Sequence, residues 1–341
     1  MAWPFGIWGA TSGIAVATGP LIGGTLTEQF SWQWIFWVNV PIGLILIPLA
    51  RLRLTESHGP NPSLDLPGTV LASGGLFGIV YALVRGNADG WTSTPVLGGF
   101  FAGTALLVAF VLWEQRAKHP MLPMRLFRHR SFSAINAASL LMLLGMFGAI
   151  FLLSQYLQTV GGYSPMEAGV RMLPWTAMPM IVGPLAGALS DRIGGAPVVT
   201  VGMALNAVGL GLWALAVEPQ VSYTSLLPAL IVCGIGMGMF FAPSANLVMS
   251  TVRPEEQGIA SGANNAIREV GGAIGVASLA AVFSAQGGYG SASQFVDGLV
   301  PALWVGAGAV ALAAALALLM PRQSKADGPA ADLSTAAPAA I

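Results

Sequence analysis

The chain is dominated by apolar runs too long for a soluble core. A helix needs about 20 apolar residues to cross the hydrocarbon of a bilayer. Ten segments meet that requirement: 5–29, 33–50, 66–85, 95–114, 131–156, 167–189, 195–217, 224–250, 262–284 and 296–320. The strands of a membrane barrel would alternate apolar and polar residues. These runs are continuously apolar, so the fold class they predict is an all-α polytopic membrane protein. Only 8% of the 341 residues are Asp, Glu, Lys or Arg, against roughly 25% in a soluble domain. With 55% hydrophobic residues and a mean hydropathy of +0.73, there is too little charge for a surface in contact with water. This excludes an ordinary soluble enzyme, a disordered chain and a nucleic-acid binder, which needs a basic face. Cys233 is the single cysteine, and His58, His119 and His129 lie apart in polar connecting segments. No intramolecular disulfide, metal cluster or cofactor is therefore expected.

The loop charges set the threading. Membrane proteins concentrate Lys and Arg in cytoplasmic loops. If each loop takes the number of the span it follows, the even loops and the C-terminal segment hold Arg51, Arg53, Arg116, Lys118, Arg125, Arg128, Arg130, Arg192, Arg253, Arg322 and Lys325. The odd loops hold only Arg85, while Arg171 and Arg268 fall inside spans. Eleven cations against one place the even loops and both termini in the cytoplasm, in a multi-pass protein of the cell (inner) membrane. Missing or inventing one helix would scramble this parity, so the charges also support the count. No basic residue precedes the first apolar run, which argues against a cleavable signal peptide. The tail over 323–341 is rich in Ala, Pro, Ser and Asp and is expected to be disordered.

The first span reads Thr11-x3-Ala15-x3-Gly19-Pro20-x2-Gly23-Gly24. Small residues every four positions share one helix face, where they let backbones approach in lipid; Pro20 removes a backbone donor and kinks the helix. Next comes Trp32-Gln33-Trp34-Ile35-Phe36-Trp37-Val38-Asn39-Val40-Pro41-Ile42-Gly43, whose tryptophans suit the outer membrane–water interface. Together these stretches resemble the major facilitator superfamily, and more narrowly its fourteen-helix drug:proton antiporters (the EmrB/QacA-like group). Ala15, Gly19, Pro20, Gly23 and Gly24 match the antiporter motif of that group's fifth helix, and Trp32–Gly43 matches the turn into its sixth. Ala15 stands where the motif often has Gly, and Gln33 where the group usually has a basic residue.

A second match is Gly187-x3-Asp191-Arg192-x-Gly194. It resembles the family's cytoplasmic loop between its second and third helices, in the weaker copy of the C-terminal half. Gly195 and Ala196 occupy the places of the closing basic pair. Gly187 is expected to allow two helices to approach closely. Asp191 is expected to lie near the start of the next helix, where the dipole favours a carboxylate. The loop reads either as a gate latch or as a loop anchor.

The resemblance implies that residues 1–52 form the last two helices of an N-terminal bundle. It implies an inserted helix pair and cytoplasmic linker over 53–130, and a C-terminal six-helix bundle over 131–320. The first four helices of the family arrangement would be missing, and the expectation is an N-terminally truncated form of a longer transporter. In-frame DNA encoding four more spans upstream of Met1 is the test of that expectation.

A transporter of this kind breaks no covalent bond and needs a midplane cavity, gates and a titrating group. Intramembrane charge is the first candidate for a functional group. Arg268 and Glu269 lie six and seven residues into the ninth span, roughly 9–10 Å deep at the helical rise, and Gly271-Gly272-x2-Gly275 follows them. They read either as forming ion pairs with loop partners at the cytoplasmic end or as a proton- or substrate-linked pair facing the cavity. Glu167 and Arg171 are expected to form an i,i+4 ion pair at the outer start of the sixth span. Asn39, Gln155, Gln158, Asn264 and Asn265 are candidate cavity residues, although Gln155 and Gln158 read equally well as bonding across helices. Met142, Met146, Phe147, Tyr156, Trp175, Met178, Phe240 and Phe241 suit either an adaptable apolar cavity or plain helix packing. Gly234-x-Gly236-x-Gly238 lies in an apolar span without a strand–turn–helix setting or a Walker lysine, so it is read as packing and not as a phosphate loop.

The resemblance implies transport, with efflux of small hydrophobic or cationic drugs exchanged for protons and the lipid bilayer as the medium. Two alternatives stay open: an inactive or partner-dependent membrane fragment, and a channel. No ring of charge supports the channel.

Overall fold

The computed structural model describes residues 18–53, 65–118, 120–220 and 222–320. Ala15 of the antiporter motif and the tail over 323–341 lie outside the described residues. Within them the chain is helical: α1 over 18–29, then α2 (Trp34–Trp37), α3 (Asn39–Arg53), α4 (Leu66–Asp89), α5 (Thr94–Arg116), α6 (Arg130–Thr159), α7 (Pro165–Thr176), α8 (Met178–Ile193), α9 (Gly195–Ala216), α10 (Tyr223–Ser250), α11 (Gln257–Gln286) and α12 (Ala292–Leu318). Nine spans among the described residues are long and apolar enough to cross a membrane. They coincide with the second to tenth segments read from the sequence; most of the first lies before residue 18.

Proline chemistry sets the interruptions. The segment expected as one span over 167–189 is two helices, α7 and α8, which meet at Ala177. Pro179 has no N–H to return to the Trp175 carbonyl and its ring crowds that oxygen, so the helix breaks just before it. The segment that starts at Gln33 likewise begins with the short turn α2 before α3 takes over. The ninth span starts earlier than expected, because α11 runs from Gln257 rather than residue 262. Arg268 is therefore eleven residues from its helix start.

Helices α6–α12 pack into one bundle. α9 lies against α10 and α12, α6 against α11 and α12, and α8 against α10. Glycine governs the closest contacts. A Cβ on Gly148 would stand 2.7 Å from the Gly275 carbonyl, one on Gly202 2.9 Å from the Gly236 carbonyl, and one on Gly275 would strike the Leu144 backbone. Water cannot drive helices together inside lipid, so this close van der Waals contact is what holds them. Trp175, Trp213, Phe132, Phe240, Phe283 and Phe295 fill the bundle between the glycine seams.

The α4–α5 hairpin closes on itself through Gly75, Gly78 and Gly103 and joins the bundle through α4 against α11, where the Asn87 amide donates to the Ala281 carbonyl. Its basic-face end is tied by Asp65, which accepts from the Gly68 N–H at 2.9 Å and from the Trp113 indole at 2.9 Å. Burial alone would push the Asp65 carboxyl up, but these hydrogen bonds outweigh it and hold the group below its ordinary value. Beside it, the buried Glu114 accepts from the Leu122 N–H at 3.0 Å. In contrast, α3 buries none of its residues, and Leu44, Ile45 and Leu52 are all more than two-thirds exposed.

Contacts between loops respect the parity of the charge argument. Arg125 and Arg253, from the fourth and eighth loops, both reach Glu256, at 2.7 and 3.5 Å. At the opposite ends, the Tyr156 hydroxyl donates to the Glu218 carbonyl at 3.2 Å. Even-numbered loops meet each other, and so do odd ones, as the antiparallel threading requires.

The glycine seam gives a direct test. Gly275→Val should cost about 1–3 kcal/mol through overpacking and lower the melting temperature in detergent. Gly308→Ala, where a Cβ meets nothing within 4 Å, should leave it unchanged. Equal melting temperatures for the two variants would contradict the seam.

Candidate functional site

The seam between α6 and α11 opens into a cleft of about 270 Å³, lined by Leu143, Phe147, Arg268, Glu269, Gly272, Ala273 and Val276. Residues 143 and 147 are one turn apart on α6, and 268, 272 and 276 are successive turns of α11, so each helix presents one stripe. Gly272 keeps the wall low enough for the Phe147 ring to lie 3.5 Å from where a Cβ would stand.

Arg268 is the charged floor of this cleft. Its guanidinium sits 4.5 Å from the Phe241 ring centre and 5.3 Å from that of Phe240, both on α10. Such cation–π contact holds a guanidinium where water is scarce. Among the described residues no carboxylate lies within ion-pairing distance of Arg268, and Glu269, its neighbour in sequence, is exposed. Of the two readings, the ion pair with loop partners is not formed by Arg268 among the described residues, and successive residues of a helix point about 100° apart. Both side chains instead border the same opening, Arg268 over the Phe240 and Phe241 rings and Glu269 exposed.

One turn towards the basic loops, Asn264 donates to the Asn136 Oδ1 at 3.0 Å, and Asn136 donates to the Phe132 carbonyl at 2.8 Å. Both asparagines are buried, so this pair is a bridge between α6 and α11 and not open lining. Asn265 is exposed. Asn39 donates to the Ile35 carbonyl at the α2–α3 junction. Gln158 spends its amide on Ser154 of its own helix. Gln155 lies eight residues beyond Phe147 on α6, roughly 12 Å by helical rise, and does not line the cleft. Met142, Met146, Trp175 and Phe240 are fully packed in the bundle interior; of the aromatics considered, Phe147 lines the opening.

The described part of the first-span motif, Gly19–Gly24, packs against α7. The Pro20 carbonyl faces Gly169, where a Cβ would stand 2.5 Å away, and a Cβ on Gly24 would stand 2.6 Å from the Pro165 carbonyl. Gly19 and Gly23 meet nothing within 4 Å. The Gly187–Gly194 loop is looser than expected. Gly187 has nothing within 4 Å of a built Cβ, so the close approach anticipated there is not made among the described residues. Asp191 and Arg192 are exposed at the end of α8, and Gly194 turns the chain into α9 with φ +91°.

The Glu167–Arg171 ion pair also does not form. Glu167 accepts from the Ser164 N–H in a capping box, and Arg171 lies 3.6 Å over the Tyr163 ring. The Ser164-x-x-Glu167 spacing carries the capping-box signal, which outcompetes an exposed i,i+4 pair worth only a few tenths of a kcal/mol.

A family model described as Major Facilitator Superfamily matches residues 4–276. The chain belongs to that superfamily. It is 33% identical over 286 residues to the tetracenomycin C resistance and export protein of Streptomyces glaucescens, covering 83% of this chain and 53% of that protein. It is 37% identical over 284 residues to the puromycin resistance protein pur8 of Streptomyces alboniger, covering 81% and 55%. It is 32% identical over 301 residues to the multidrug transporter protein MdtP of Bacillus subtilis, covering 87% and 54%. The chain spans about half the length of these relatives. As a member of that superfamily with nine described spans long and apolar enough to cross a membrane, it is a multi-pass membrane protein.

The asparagine bridge can be weighed by a double-mutant cycle. Asn264→Leu leaves the buried Asn136 Oδ1 without this donor and should cost about 1 kcal/mol of stability. The Asn136→Leu/Asn264→Leu pair should cost less than the sum of the two single changes. Strict additivity in thermal melts would contradict the bridge.

Proposed function

We propose that this chain carries out proton-coupled efflux of small hydrophobic or cationic drugs by alternating access, within the fourteen-helix drug:proton antiporter arrangement. In this reading its helices correspond to the fifth onward, and four further helices, in a longer chain or from a partner, complete the cavity. The observation that carries the reading is that relatives named for drug resistance and export align with more than four-fifths of this chain at 32–37% identity. The α6–α11 cleft supports it with a charged, aromatic-walled opening at membrane depth, since ionisable groups are costly in lipid unless they serve a pathway. The protein sits in the cell (inner) membrane with both termini cytoplasmic, as the loop charges favour.

In this account Arg268 is a fixed cation that orients acceptor groups or competes with the proton, and Glu269 is the proton carrier. The Gly187–Gly194 loop, with Asp191 and Arg192 exposed, serves the cytoplasmic gate. Alternating access asks the half that contains α6–α12 to rock as a body, which its glycine seams make rigid enough to do.

The test measures ethidium efflux for the chain alone and for the chain joined to the first four helices of a relative, with and without a protonophore. The joined form should export dye, and the protonophore should abolish export. Glu269→Gln should lower proton-driven efflux on the order of tenfold or more. Undiminished, protonophore-sensitive efflux in Glu269→Gln would contradict the coupling role, and no efflux from the joined form would contradict the transport reading.

A further inference from the structure

At the face opposite the basic loops, α1 and α7 meet through a carboxylate. Glu28 accepts from the Ser164 hydroxyl at 2.8 Å and from the Met166 N–H at 3.1 Å, both through the same Oε2. Neither partner is near it in sequence. Ser164 is the N-cap of α7, and Met166 is the second residue of its first turn.

The donors at the start of α7 can be counted one by one. A helix leaves its first N–H groups without internal partners. The Ser164 N–H goes to Glu167 and the Glu167 N–H goes to the Ser164 Oγ, the two halves of the capping box. Pro165 has no N–H to satisfy. The Ala168 N–H already bonds back to the Ser164 carbonyl at 2.8 Å. The one donor left is that of Met166, and Glu28 takes it. The negative charge also stands at the positive end of the α7 dipole, so the contact is favoured by both hydrogen bonding and charge.

The geometry around it leaves no room for a loose fit. The Pro20 carbonyl lies against Gly169 and Gly24 against Pro165, which brings the α1 and α7 backbones together just below the carboxylate. α1 belongs to the N-terminal half of the family arrangement, whereas α7 belongs to the half formed by α6–α12. Any opening on this face must pull Glu28 off the start of α7 and hand the Met166 N–H to water.

We propose that Glu28 is the latch of the gate on this face, a positioning residue that holds the two halves closed by capping α7 across the interface. The proposal rests on the transport reading, in which this face is the outer one. Closing forms two charge-assisted hydrogen bonds; opening gives them up to water, so the latch biases the equilibrium without locking it.

The test reads the gate itself, separately from transport. Spin labels are placed at Gln29→Cys and Thr159→Cys, both exposed on this face, in the chain reconstituted in lipid nanodiscs; the native Cys233 is fully buried. Distances between the labels are measured by pulsed electron resonance. The parent chain should show mainly the short distance. Glu28→Ala, which removes both bonds, should shift the closed-to-open ratio by about tenfold or more toward the long distance, since one charge-assisted hydrogen bond alone is worth about that factor. Glu28→Gln, which keeps an acceptor and loses the charge, should shift it less. Glu167→Ala breaks the local capping box but spares the Glu28 contact, and should shift it least. An unchanged distribution in Glu28→Ala would overturn the latch, as would a Glu167→Ala shift equal to it, which would reduce the effect to fraying of α7. Because no transport is measured, a failed efflux assay leaves this result standing, and a failed latch leaves the efflux reading standing.

Discussion

Inside a bilayer a peptide N–H has no water to turn to, and the rest of this structure follows from that constraint. Each span must satisfy its own backbone, so each becomes a helix. The helices in turn gain nothing from hiding apolar side chains, because lipid is as apolar as they are. What remains to hold them is close contact, and the chain supplies it where glycine removes the side chain altogether. Gly148 against Gly275 and Gly202 against Gly236 bring backbones to a separation that any Cβ would forbid. The bulky Trp175, Trp213 and Phe240 then fill the space left between those seams.

The same constraint explains where polarity is allowed. Asn136 and Asn264 are buried because they satisfy each other and the Phe132 carbonyl. Arg268 is tolerated because two aromatic faces stand in for a counter-ion. Glu28, at the membrane edge, finds its donors at the start of another helix. At each of these three places a specific partner offsets the desolvation of the polar group. Arg268 and Glu269, which make no direct contact with each other, border an opening.

Much of the fold was legible in the sequence because its signals are local. Apolar runs of sufficient length marked the spans, and the loop cations supplied a parity that the contacts of Arg125 and Arg253 with Glu256 respect. The break at Ala177 follows from Pro179 and not from the length of the apolar run. The i,i+4 spacing of Glu167 and Arg171 suggests an ion pair, but Ser164-x-x-Glu167 spells the capping box that forms instead. Other features had no local signal. Glu28 meets a serine 136 positions away, and spacing within one helix says nothing about that. The stacking of Arg268 on Phe241 depends on how α10 and α11 lie against each other. Gly187 shows the converse: a motif suggested close packing, and the structure leaves the space around it open.

The account stands on one threading of the chain, with the cationic loops all on the inner side. Impermeant maleimide labelling of Gln115→Cys and Ser293→Cys, both exposed at opposite ends of the bundle, tests it directly, since the buried Cys233 gives no background. Ser293→Cys should react in intact cells and Gln115→Cys only in inverted vesicles. Labelling of Gln115→Cys from outside intact cells, or of both positions from the same side, would contradict the threading and the transporter built on it.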